Sequence, residues 1–167
     1  MIVFDASPLV HFAVADELAL LGRLVRQASI PPRVRDELVV DQPDAPGAAA
    51  LRRELDRRRP WLQVHELDAV GAARAEALAA PPLDTGEAAA IALALQLDAI
   101  LVIDERAGRR AAEARGLTVT GTIGLLLKAK ERGLIPAVRP VLDSMIASGL
   151  RISPGLREEA LRTTGEG

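Results

Sequence analysis

Asp5, Glu37, Glu87 and Asp104 are the side chains whose types and placement suit chemistry. Asp5 closes the apolar run Met1-Ile2-Val3-Phe4, and Asp104 closes Ala99-Ile100-Leu101-Val102-Ile103. If these runs are parallel strands, both carboxylates leave the same edge of one sheet, and two anions brought together need a cation. Glu87 opens the run Ala88 to Leu95, which is apolar on every face and therefore reads as a buried helix, so its carboxylate lies at the mouth of a low-dielectric region. Glu37 lies one residue from the inward stripe marked by Val34 and Leu38. If the four converge, they form an all-oxygen cluster, and such hard ligands suit Mg²⁺ or Mn²⁺ rather than Zn²⁺. Divalent ions held this way support in-line phosphodiester hydrolysis without a covalent protein nucleophile.

Each carboxylate also has a structural reading. Asp5 could cap a helix, although Ser7-Pro8 reads as the N-cap followed by Pro at the first helical position. Asp104 or Glu105 could cap the helix beginning near Arg106, stabilising its positive end. Asp84-Thr85-Gly86-Glu87 fits a capping box, with Asp84 at the cap and Glu87 three residues on. Glu37 has Arg33 four residues earlier for an ordinary surface pair. The combination, not any single residue, argues for a site.

Arg106, Arg109 and Arg110 follow Asp104 at i, i+3 and i+4 spacing and are the better candidates for holding a substrate phosphate. The arginines between Leu51 and Pro60 read instead as a solvated helix face. Thr122 comes near the site if a strand at Leu117 to Val119 pairs beside the one ending at Asp104; N-capping explains it equally well. Trp61, His11 and His65 lack neighbours in sequence that would make a stacking, metal or triad site and read as structural.

The elements that must position these residues alternate. An apolar strand at the N-terminus runs into a helix, and Leu18, Leu20, Leu21, Leu24 and Val25 recur at helical spacing. An extended segment at Ser29 to Pro32 precedes a helix over Arg33 to Val40. A loop over Asp41 to Gly47 leads to a helix over Ala48 to Arg59 that Pro60 stops. Trp61 to Leu67 alternates as a strand or edge segment, and Val70 to Ala80 is helical up to Pro81-Pro82. Then come helix Thr85 to Leu97, strand Ala99 to Ile103, helix Arg106 to Arg115, a short strand at Leu117 to Val119, helices Thr122 to Arg132 and Pro136 to Ala147, and a last frayed helix capped at Ser153-Pro154. Short apolar strands alternating with helices predict an α/β fold, a three-layer α/β/α sandwich around a mainly parallel sheet. Ligands of such sheets bind beyond the C-terminal strand ends, where Asp5 and Asp104 fall.

Composition narrows the function classes. The chain has 167 residues, 49% of them apolar, no cysteine and two histidines. Length allows one well-cored domain; residues 1–150 form the main body, and 151–167 a helical tail that belongs to it or frays. The absence of cysteine excludes a disulfide framework and thiolate-held metals and suits a reducing cytoplasm. No apolar stretch approaches the ~20 residues that span a bilayer, and no signal peptide is expected. A net charge of −2 confines any polyanion site to a local patch.

With these residues in view, the sequence resembles the PIN domain family. The resemblance rests on Val3-Phe4-Asp5-Ala6-Ser7-Pro8-Leu9, the Glu37 segment after Ile30-Pro31, Gly86-Glu87-Ala88-Ala89-Ala90-Ile91-Ala92-Leu93-Ala94 and Leu101-Val102-Ile103-Asp104-Glu105, spread over nearly the whole chain. Gly121-Thr122-Ile123-Gly124-Leu125-Leu126, Lys128-Ala129-Lys130, Gly133-Leu134-Ile135 and Gly149-Leu150-Arg151-Ile152-Ser153 look like a PIN-like branch described as predicted nucleic-acid-binding proteins. The resemblance implies an α/β/α fold and a Mg²⁺- or Mn²⁺-dependent endoribonuclease with Asp5, Glu37, Glu87 and Asp104 as catalytic and metal-binding residues. It places Ser7, Glu105 and Thr122 in support. It also implies the toxin of a toxin–antitoxin pair, with an antitoxin protein as partner and a homodimer as the assembly. Two positions depart from the pattern. Glu87 stands where many members have Asp, which lengthens a ligand, and Val102 stands where many have Ser or Thr, which removes a hydroxyl.

A receiver domain or an aspartyl-phosphate phosphatase would also place an acid after the first strand. Ser7 occupies the position where the phosphatase pattern wants a second Asp, and a receiver wants paired acids near Asp5. A catalytically weak PIN-like module that binds RNA or an antitoxin is the remaining alternative.

Overall fold

In the computed structural model, which describes residues 1–167, strands and helices alternate along the chain. Their order is β1 (Ile2–Phe4), α1 (Ala6–Val14), α2 (Leu18–Val25), β2 (Ala28–Ile30), α3 (Pro32–Val39), α4 (Ala48–Leu55), β3 (Leu62–Val64), α5 (Ala69–Leu78), α6 (Thr85–Leu97), β4 (Ile100–Val102), α7 (Arg106–Glu113), β5 (Val119–Thr120), α8 (Thr122–Glu131), α9 (Arg139–Ala147) and α10 (Pro154–Thr163). All pairings are parallel, so every crossover needs more chain than a tight turn provides, and helices supply it. The strand order is β3-β2-β1-β4-β5. Val3, Phe4, Leu101 and Val102 are wholly buried, as strands covered on both faces must be. The result is the three-layer α/β/α sandwich that the alternation predicts.

The chain builds the sheet outward from β1 to β2 and β3, then returns to place β4 and β5 on the other side of β1. The direction of winding therefore reverses between β1 and β4, and an open parallel sheet has its crevice there, beyond the carboxyl ends of the strands. Val3 faces Leu101 and Phe4 faces Val102 across that junction, and Asp5 N–H donates to the Val102 carbonyl at 2.9 Å. Asp5 and Asp104 thus emerge at neighbouring strand ends on one edge.

Several boundaries differ from the sequence reading, each for a local reason. The first helix starts at Ala6, so Asp5 and not Ser7 occupies the N-cap position, and Pro8 sits in the first turn, where its missing N–H has no helical acceptor anyway. The fourth helix stops at Leu55 rather than Arg59: Glu54 is tied to both Arg57 and Trp61 Nε1, and Pro60 demands an extended residue before it. The ninth helix begins at Arg139 rather than Pro136, because in a helix begun at Pro136 the Pro140 ring would clash with the carbonyl four residues back. The fifth strand is Val119–Thr120, slightly later than Leu117 to Val119. No helix is long and apolar enough to cross a membrane.

Within residues 151–167, Pro154–Thr163 form a regular helix whose Ala160 and Leu161 are buried. Its end is tied down. The Glu166 carboxylate accepts from Lys130 Nζ at 2.7 Å and from the backbone N–H groups of Val138 and Arg139, each at 2.8 Å, satisfying the start of α9. Burial works against the charged form, but these hydrogen bonds outweigh it and hold the Glu166 carboxyl down at about 2. A depressed carboxyl contributes stability above its unfolded value, here 4.5, and loses it as pH falls through its folded value. Glu166→Ala is expected to lower stability at pH 7 by about 1–3 kcal/mol, a fall of a few degrees in melting temperature, with the gap narrowing below pH 4.5. Thermal unfolding of both proteins from pH 7 downward checks this; equal midpoints at pH 7 would show that the C-terminal tie is idle.

Candidate active site

Asp5 follows a strand that has no exposed face, and the residue is only 4% exposed. It occupies the N-cap position of α1 without making a side-chain cap hydrogen bond. Burial raises its pKa to about 7; the nearby Ala6 N–H opposes the rise, and the like charges of Glu37, Glu87 and Asp84 add to it. No Lys, Arg or His forms an ion pair with Asp5, Glu37 or Glu87.

Glu87 is placed by the capping box that the sequence predicts. Its backbone N–H donates to Asp84 Oδ1 at 2.8 Å, and its Oε2 accepts from Asp84 N–H at 2.9 Å. Most of α6, Gly86 through Ala94, is buried, which carries Glu87 inward. Desolvation raises the Glu87 pKa first, the Asp84 N–H opposes, and the charges of Asp84 and Glu105 raise it further. Capping and membership of the acidic group are therefore simultaneous roles of one side chain.

Glu37 does not pair with Arg33 as its spacing suggests. Arg33 donates instead to Asp41 at 2.8 Å and to Thr85 Oγ1 at 3.1 Å, fastening α3 to the start of α6. The Glu37 side chain is exposed, but its carboxyl end reaches Gly86, where a Cβ would lie 2.5 Å from Oε2 and 3.3 Å from Asp84 Oδ1. Partial desolvation and then Asp84 raise its pKa, with Arg33 opposing. Asp84, valued in the sequence only as a cap, is thus a fourth carboxylate of this group.

Asp104 has a different environment. It caps no residue of α7, whose N-cap position is Glu105 without a side-chain bond. Its Oδ1 accepts Thr122 N–H at 2.8 Å, and its Oδ2 accepts Thr122 Oγ1–H at 2.6 Å and lies 3.1 Å from His11 Nδ1. Burial opposes ionisation, but His11 and Thr122 outweigh it and hold the Asp104 carboxyl below its usual range. His11, structural by the sequence reading, is therefore a neighbour of the site. The available signal was that it lies one helical turn beyond Ser7, on the same helix face.

Two adjoining cavities meet at Asp104, Ile123 and Leu156. One, of about 360 Å³, includes Ser7, His11, Glu105, Thr122 and Arg151; the other, of about 490 Å³, includes Arg106, Arg109 and Gly121. Arg109 is fixed by donating to the Ile103 carbonyl at 3.0 Å. Arg110 lines neither cavity, which divides the arginine trio of the sequence reading. Between Leu51 and Pro60, Arg52 donates to the Val39 carbonyl and Arg57 pairs with Glu54, while Trp61 packs on Gly22.

The carboxylates fit a hard divalent cation by donor chemistry and by charge: all are oxygen ligands, and Asp5 lacks a compensating cation. No three acidic or histidine side chains close into a ready-made metal cage.

The raised Asp5 carboxyl has a thermodynamic consequence. Between its ordinary 3.8 and about 7 the folded protein binds a proton that the unfolded chain releases, so stability is full below that window and falls as pH rises through it. In EDTA, unfolding free energy is expected to drop by a few kcal/mol from pH 4 to pH 7 on account of Asp5. Asp5→Asn should flatten that slope, and Mn²⁺ should restore wild-type stability at pH 7.5. Urea titrations across the range measure it; identical slopes for wild type and variant would contradict the assignment.

The sequence model of a family described as PIN domain matches residues 1–166. No curated protein matches the chain.

Proposed function

Because the chain belongs to the PIN domain family, a nuclease-type fold, we propose that it is a Mg²⁺- or Mn²⁺-dependent endoribonuclease that hydrolyses RNA phosphodiester bonds. The observation that carries this reading is the buried, cation-free Asp5 beside Glu37 and Glu87 at the reversal point of the sheet, with Asp104 just beyond the neighbouring strand. Asp5, Glu37, Glu87 and Asp104 are the carboxylates that would hold the divalent cation. When bound, such an ion lowers the pKa of its water and neutralises charge growing on the phosphoryl oxygens. Arg106, exposed in the cavity that Asp104 helps to line, and Arg109, braced on the Ile103 carbonyl, hold the phosphate. Ser7, Glu105 and Thr122 line the adjoining cavity in support. The resemblance of the C-terminal third to the nucleic-acid-binding branch supports extending the reading to the toxin of a toxin–antitoxin pair, a cytoplasmic homodimer held in check by an antitoxin protein.

Purified protein incubated with a mixed single-stranded RNA pool is expected to cleave it in Mg²⁺ or Mn²⁺ and not in EDTA. Asp5→Asn and Asp104→Asn should each lose about a hundredfold or more in rate, because several kcal/mol of charge stabilisation disappear. Folded wild type that binds metal and leaves every RNA intact would favour the non-catalytic binding module instead.

Gly86→Ala tests Glu37 separately. An alanine there suits the helix as well as or better than glycine, by up to about 1 kcal/mol. Its Cβ must displace the Glu37 carboxyl, the free end of a flexible side chain. Cleavage is expected to fall while the melting temperature holds or rises. Unchanged cleavage would remove Glu37 from the site.

A further inference from the structure

His11 is separated from Asp104 by 93 positions in sequence, yet its ring nitrogen Nδ1 lies 3.1 Å from Asp104 Oδ2. An ionised carboxylate only accepts hydrogen bonds, so the hydrogen of this contact sits on Nδ1. A carboxylate offers about four acceptor positions. On Asp104, Thr122 N–H fills one on Oδ1, and the Thr122 hydroxyl and His11 fill those on Oδ2. By that count one position on Oδ1 has no protein donor, and Asp104 lines both cavities. The donors come from two helices, His11 from α1 and Thr122 from α8, so the carboxylate plane is held from two directions and cannot turn without breaking a bond. Gly121 makes the approach possible, since a Cβ there would lie 2.6 Å from Oδ1.

We infer that His11 is a positioning residue: through Nδ1 it fixes the orientation in which Asp104 presents its remaining acceptor position to a divalent cation. The inference rests on the metal site of the preceding subsection, but concerns a residue outside the acidic quartet. Outer partners that orient a ligand commonly change metal affinity by 10–100-fold when removed. His11 is part-buried, with a side chain 21% exposed, so its ring also contributes packing that must be separated from its hydrogen bond.

His11→Phe keeps a ring and removes the donor, whereas His11→Asn places an amide N–H at the level of Nδ1. Mn²⁺ binding to the full chain without RNA, followed by electron paramagnetic resonance, reads affinity independently of cleavage. Circular dichroism and melting temperature confirm that each variant folds. The expected result is a roughly 10–100-fold weaker Mn²⁺ affinity for His11→Phe and recovery close to wild type for His11→Asn. A crystal structure of His11→Phe should show the Asp104 carboxylate rotated away from its wild-type orientation. Unchanged or tighter Mn²⁺ affinity in His11→Phe, or equal weakening in both variants, overturns the inference. Wild type that binds Mn²⁺ without cleaving RNA defeats the nuclease reading alone, because the affinities still report on His11. Wild type that binds no Mn²⁺ defeats both.

Discussion

Everything at the functional edge follows from one electrostatic constraint, the crowding of carboxylates at the end of a strand that has no face in water. Asp5 cannot reach solvent as a surface aspartate would, because Phe4 before it and Ala6 after it are both buried. No protein cation joins it. Partial relief comes from the architecture: Asp5 stands at the start of α1, Glu87 in the first turn of α6, and Asp104 accepts the first N–H of α8. A helix N-terminus contributes about 0.3–1 kcal/mol to a nearby anion, less than burial of a carboxylate costs. The helix ends make the cluster tolerable without making it comfortable, and a residual demand for positive charge remains.

The constraint also divides the carboxylates into two kinds. Asp5, Glu37 and Glu87 have raised pKa values because burial and mutual repulsion disfavour charge. Asp104, at a neighbouring strand end, is held ionised by three hydrogen bonds. Environments that push the acidities of adjacent groups apart are a common way to give chemically identical side chains different tasks. Here the ionised Asp104 is a fixed point of negative charge whatever else binds, while the charge on Asp5 depends on whether a cation arrives. The hydroxyl missing at Val102 bears on this division, since Thr122, just after the adjacent β5, brings one to Asp104.

What the sequence makes legible is what is local. The run into Asp5, the capping box at Asp84 and Glu87, and the buried alanine-rich helix are encoded within a few residues each, and α6 is found at its predicted ends. What it hides depends on distant segments. Nothing near His11 announces Asp104, whereas Thr122 reaches that carboxylate through the pairing of β5 beside β4 on which the sequence reading made it conditional. Arg33 looks like the partner of Glu37 until Asp41 and Thr85 are brought within its reach. The C-terminal tie is hidden for the same reason, because Glu166 finds its partners 27 to 36 positions back.

Two glycines then distinguish a site shaped for its carboxylates from one that merely contains them. Gly86 lies in the first turn of α6 and Gly121 immediately precedes α8, and a Cβ at either would intrude to within hydrogen-bond range of a carboxylate oxygen, 2.5 Å for Glu37 and 2.6 Å for Asp104. Neither glycine has a positive φ, so backbone conformation does not require it. For Gly86, helix stability favours alanine. The remaining reason for glycine at both positions is room, used in each case by an anion approaching the positive end of a helix. A fold optimised only for stability would fill these spaces and let the carboxylates move out to water. Instead the missing methyl groups keep two anions inward, at the edge where the sheet already concentrates negative charge.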